Sequence, residues 1–133
     1  MSTHATISKL EADGSVTSVY CQYDGYTEYV GKFLKGYYLD EESVDQLLAL
    51  GSIVSLAANV HPDEKYNHTI DDPQVGVTVS FFRDKREPMR ISQYVDFQEY
   101  QNYGCAEEFN YIYVDGNWTV STNYGASFKK YDV

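Results

Sequence analysis

Positive charge is scarce in this chain. Ten Lys and Arg stand against twenty Asp and Glu in 133 residues, a formal net charge of −10 with the three His neutral. Phosphate contacts need a positive face, so direct binding to DNA, RNA or an anionic lipid surface is argued against from the outset. Long apolar runs are missing as well: nothing approaches the roughly 18 residues that a membrane span requires. The first residues, Met1-Ser2-Thr3-His4-Ala5-Thr6, lack the basic-then-apolar layout of a secretion signal. On that reading the triplets Asn67-His68-Thr69 and Asn117-Trp118-Thr119 are chance, and a cytoplasmic location is expected. There are only two cysteines, Cys21 and Cys105. A cytosolic chain keeps thiols reduced, so both are expected as free, partly buried thiols, with their proximity left open. Gly-x-Ser-x-Gly, Gly-Lys-Ser/Thr and Gly-x-Gly-x-x-Gly are all absent. No catalytic residue, metal site or cofactor is assigned, and the chain is read as non-enzymatic.

What is present is enough to fold. The sequence is 43% hydrophobic and 16% aromatic, with fourteen Tyr, six Phe and one Trp. A chain near this size buries roughly two-thirds of its unfolded surface, and disorder is not expected despite the charge. Residues 4–23 read as a hairpin: Ala5 to Leu10, a turn at Asp13-Gly14, then Ser15 to Tyr23. In the second strand Val19, Cys21 and Tyr23 share a face, while Val16 and Tyr20 break strict alternation. Tyr26, Val30, Phe33, Leu34 and Tyr37 then follow helical spacing from an N-cap at Thr27. Asp40 caps a second helix, with Glu41 and Glu42 at its positive end, Val44, Leu47 and Leu48 as its buried stripe and Gly51 as its stop.

Residues 52–58 are expected to pack back as a turn or short helix, and 59–74 as a long polar loop. Val75 to Phe81 alternates as the clearest strand in the protein. Arg83 to Arg90 reads as a charged loop, and 91–103 as a short strand followed by an irregular helix. Phe109 to Val114 and Trp118 to Thr122 close the chain as a hairpin around Asp115-Gly116, with both faces of the first strand covered. The tail after about 124 is expected to be loose. Two hairpins bracket two helices without a repeating βαβ unit. The expected fold is a single α+β domain spanning 1–133, a mainly antiparallel sheet of about five or six strands with two helices packed on one face.

Four clusters carry possible chemistry. His61 and His68 lie among Asp63, Glu64, Asp71 and Asp72, a mixture of imidazole and carboxylate that suits a metal or a small hydrolase, but the spacing matches no ligand motif. Either Cys would need a neighbouring His to act as a nucleophile, and nothing in the sequence supplies one. Arg83, Arg86 and Arg90, with Tyr26 and other aromatics, offer a grip for a phosphate or a small planar ligand such as a nucleotide signal. The strongest compositional signal is acidic: Asp40, Glu41, Glu42 and Asp45, then Asp63, Glu64, Asp71 and Asp72, then Glu107 and Glu108. Carboxylates spaced like phosphates and backed by Tyr would compete for the basic groove of a nucleic-acid-binding protein.

The run Val19-Tyr20-Cys21-Gln22-Tyr23-Asp24-Gly25-Tyr26, with Val30-Gly31, Val44 through Leu47, Leu50-Gly51 and Ile53, resembles a family of small bacteriophage- and prophage-encoded proteins with a Cys-x-aromatic-Asp-Gly-Tyr motif. Arg83-Asp84, Glu107-Glu108-Phe109-Asn110-Tyr111-Ile112-Tyr113 and Asp115-Gly116-x-Trp118 extend the resemblance over most of 16–120. Members often carry His where this chain has Gln22. The resemblance implies an accessory phage gene, for which disabling a host enzyme or defence system is a common task. Together with the charge, it leads to the expectation of an inhibitor that docks on a basic host protein.

Overall fold

The computed structural model describes residues 3–131. Ala5–Leu10 (β1) and Val16–Cys21 (β2) form the expected hairpin, with Ile7 opposite Val19. Lys32–Tyr37 (α1) follows a π-helical turn at Thr27–Gly31, and Glu41–Leu48 (α2) follows closely. Ile53–Ser55 (β3), Val79–Ser80 (β4), Phe81–Lys85 (α3) and Ser92–Tyr94 (β5) come next. Phe97–Glu99 (α4) runs into a second π turn at Tyr100–Gly104, and Phe109–Val114 (β6) and Asn117–Ser121 (β7) complete the order.

The class is α+β. The sheet is mainly antiparallel but mixed: β1 runs parallel to β6, and β2 meets β3 in parallel. Its strands lie in the order β4-β3-β2-β1-β6-β7, and β5 pairs with β2 beside that path. Parallel neighbours need a crossover; here the whole middle of the chain is the crossover between β1 and β6.

The two expected helices, α1 and α2, share one face of the sheet. On one side Ala5, Ile7, Val19 and Cys21 pack with Leu34, Val44 and Leu47 from α1 and α2. Burying each of the larger aliphatic side chains stabilises the fold by about 1.5–3 kcal/mol. On the other side Val16 and Ile112 pack against Tyr100, Phe97 and Phe128. Coverage of both faces explains why Val16 interrupts the alternation of β2. Many of the tyrosines serve the larger core. Tyr38 donates to Ala57 O, Tyr111 to Gly25 O, Tyr113 to Leu39 O and Tyr131 to Gly31 O. Each hydroxyl is thereby hydrogen-bonded within the fold while its ring packs in or beside the core.

Several local expectations fail, among them the N-cap at Thr27, which lies inside the π turn, and the start of the 83–90 loop, which is helical to Lys85. The Val75–Phe81 strand shrinks to Val79–Ser80, because Val75 is fully exposed and Ser80 Oγ caps α3 by accepting from Arg83 N. Residues 52–58 supply strand β3 instead of a helix, since a free edge of β2 is there to accept them. The segment after Asn123 packs down: Lys129 bridges to Val120 and Tyr131 is 8% exposed. Asp132 and Val133, the end of that expected loose tail, lie outside the described residues, as do Met1 and Ser2.

Candidate interaction surface

Asp40 caps α2 as expected, its carboxylate accepting from Ser43 N at 2.8 Å, and those bonds hold its pKa below the usual carboxylate value. Beneath the helix lies Lys9, only 4% exposed. Its Nζ donates to Asp45 Oδ1 at 2.7 Å and to Glu41 Oε1 at 2.8 Å, and sits 3.1 Å from Glu11 Oε1. Burial by itself would lower the Lys9 pKa; the hydrogen bonds to the three carboxylates outweigh it and raise the value well above the ordinary lysine range. Glu41 and Asp45 therefore clamp α2 to β1 while their side chains still face solvent.

The 59–74 segment is an ordered loop in which one side chain makes several of the ties. Gln74 Nε2 donates to Asp63 O and Tyr66 O, and Gln74 Oε1 accepts from Asp63 N. His68 Nδ1 accepts from Gln74 N, so the ring proton sits on Nε2, which faces Asp84 Oδ2 at 3.3 Å. Asp84 also accepts from Ser80 N and from Arg83 Nε. Arg83 further donates to Val60 O and Thr78 O. His68 is thus an element of a structural clasp, and His61 is exposed in a separate shallow cleft beside Tyr37, Ser43 and Gln46. Among the described residues no group of three His, Cys, Asp or Glu is placed to hold a metal ion.

That shallow cleft runs from Ser43 and Gln46 of α2 to Asn59, Val60 and His61, where the loop bearing the exposed Asp63, Glu64, Asp71 and Asp72 begins; none of the carboxylates lines it. Glu107 and Glu108 do not join them. They precede β6 near Ala5, whereas the Lys9 clamp is at the other end of β1, about 13 Å along the strand. Glu107 moreover lines a cleft formed by Ser18 and Tyr20, on the sheet face opposite α2.

The expected arginine group also separates. Helix α3 turns Arg83 inward, where its guanidinium is fully engaged. Arg86 is exposed in a left-handed conformation with φ of 60°, and Arg90 lines the Glu107 cleft. Tyr26 is elsewhere, at the first π turn, bonded to Asp24.

The chain matches no protein-family model, no curated protein and no solved structure.

Cys21 and Cys105 lie on opposite sides of the sheet. Cys21 is fully buried in the larger core, where burial pushes its thiol up to about 12. Cys105 packs with Tyr100 in the smaller one. Sequence reasoning missed Lys9, Gln74 and Asp84. Lys9 alone left a signal, a charged residue in phase with Ala5 and Ile7 on the buried face of β1.

Proposed function

We propose that this chain is a non-enzymatic bacteriophage accessory protein that binds and inhibits a host protein with a basic surface. The target class is a defence or nucleic-acid-handling factor in the host cytoplasm, and the carboxylates of α2 and the β3–β4 loop stand in for phosphates. One observation carries this reading. Tyr37, Leu39 and Tyr66, at 58%, 64% and 69% exposure, lie beside these carboxylates in the chain, two just before Asp40 and one just after Glu64. Apolar anchors inside a charged rim are the composition of a protein interface, and the acidic rim would steer a basic partner. Glu107 and Glu108 fall outside the surface.

The test is capture of host proteins by wild-type chain and by a Glu42→Lys, Glu64→Lys, Asp71→Lys variant. None of these three residues belongs to the Lys9 clamp. The expected partner is retained at about 50 mM salt, released near about 500 mM, and lost with the variant; Glu108→Lys leaves it bound. The purified partner should lose nucleic-acid binding when the wild-type chain is added. Retention indifferent to both salt and charge reversal would sink the reading.

A further inference from the structure

On the sheet face opposite α2, β2, β5 and the second π turn enclose a cleft of about 290 Å³. It continues past Tyr20, Ser52 and Arg90 into a recess of about 110 Å³. A volume near 300 Å³ lies at the small end of ligand-binding cavities.

The floor is polar and has hydrogen-bonding capacity to spare. Ser8 Oγ donates to Ser18 Oγ at 2.8 Å, which leaves Ser18 with its own proton to donate. Tyr20 is similar. Gln22 O can only accept, so the 2.7 Å contact puts the proton of His4 on Nδ1, and the Tyr20 oxygen, 2.8 Å away, shares that donor. The Tyr20 proton is then available to a ligand. Burial and, after it, the Glu107 carboxylate raise the Tyr20 pKa, which keeps that proton in place.

The walls are aromatic and held from behind. A Cβ added at Gly104 would come within 2.8 Å of the Tyr94 ring, so backbone and ring are in close contact there. Tyr103, the neighbouring residue in the π turn, is 78% exposed and lines the same cleft. Helical segments of this widened kind recur at functional sites.

Arg90 gives the cleft its selectivity. Its backbone is anchored, with Ser52 N donating to Arg90 O at 3.0 Å. Its guanidinium has no hydrogen-bond or ion-pair partner among the described residues. Glu87, beside it, is already paired with Lys85 at 3.1 Å. In a chain with twice as many acids as bases, an arginine without a carboxylate partner at the junction of two recesses is an open anion site.

We propose that this cleft binds a nucleoside monophosphate, its phosphate on Arg90, its base against Tyr94 and Tyr103, and its sugar hydroxyls on Ser18 and Glu107. The site is independent of the acidic surface proposed above. The net charge opposes an anion only at long range, and a Debye length of about 8 Å at physiological salt leaves the local guanidinium dominant.

Amide shifts in an isotope-labelled sample would be followed during titration with AMP, GMP, CMP and UMP, and in parallel with adenosine and with inorganic phosphate. Saturable shifts at Ser18, Tyr94 and Gly104 are expected for at least one nucleotide, with a Kd below about 1 mM. Arg90→Gln, at an exposed position, should weaken that nucleotide about tenfold or more and adenosine little. Tyr103→Ala should weaken both, and Arg86→Gln neither. The absence of saturable shifts up to about 10 mM would overturn the proposal. So would phosphate binding as tightly as the nucleotide, or indifference to Arg90→Gln.

Discussion

His68 Nε2 faces Asp84 Oδ2 at 3.3 Å, and through that pair the acidic β3–β4 loop is fastened to helix α3. Both side chains are nearly buried, at 3% and 2% exposure. A loop that presents carboxylates is thereby held in one shape by a carboxylate that it does not present.

Asp84→Asn is expected to lower stability by about 2 kcal/mol, read from the urea midpoint, because the charge-assisted bonds from Arg83 lose their anionic acceptor. Amide exchange should accelerate most between residues 61 and 74. Burial by itself would raise the Asp84 pKa from 3.8; the bonds from Arg83 and Ser80 and the charge of Arg83 outweigh it and lower the value. A depressed folded pKa means that this stabilisation is complete above about pH 4 and is lost as pH falls through the folded value. Asp84→Asn should therefore flatten the acid limb of the stability curve; an unchanged limb would count against the clasp.

Lys9 acts with the opposite sign. Its folded pKa is raised above 10.5, so its contribution is full below that pH and lost as pH climbs through the folded value. Lys9→Ala should cost about 1–3 kcal/mol, since it removes a buried stem and leaves Glu11, Glu41 and Asp45 repelling one another. Lys9→Met, which keeps the stem, should recover a good part of the loss. Equal melting of the two variants would show that charge, not packing, dominates at this position.

Two glycines should respond oppositely to the same change. A Cβ at Gly25 would stand 2.8 Å from Ala5 Cβ and from the His4 backbone, so Gly25→Ala should destabilise by about 1–3 kcal/mol. A Cβ at Gly36, within α1, meets nothing within 4 Å, and Gly36→Ala should stabilise by about 0.5–1 kcal/mol. Thermal melts of the two variants check both signs. The outcome would assign the Asp-Gly-Tyr turn to close packing of the chain.

Both thiols should resist alkylation while the protein is folded. Cys21 is fully buried with its thiol pushed up to about 12, and Cys105 is 6% exposed. Thiolate is the reactive form, so labelling at about pH 8 should be slow in buffer and reach both cysteines in denaturant. Intact mass without reductant should show two free thiols. Fast native labelling of Cys21 would contradict the packing of the larger core.

The sequence by itself determined the elements whose cause is local. Asp40 capped α2 because a carboxylate three residues before a free N–H needs no distant partner. The β1–β2 and β6–β7 hairpins were legible from alternation and from Asp-Gly turns. The alternation from Val75 to Phe81 misled, because period two states which side chains share a face but not whether a neighbouring strand lies there to pair with them. Only the tertiary structure decided that β1 lies parallel to β6, which sends Glu107 to the face opposite α2. Only the fold turned Arg83 inward and left Arg90 beside three tyrosines, without a side-chain partner among the described residues. The count of acids and bases was in the sequence; which carboxylates lie together, and which arginine is open to a ligand, depended on contacts between residues tens of positions apart.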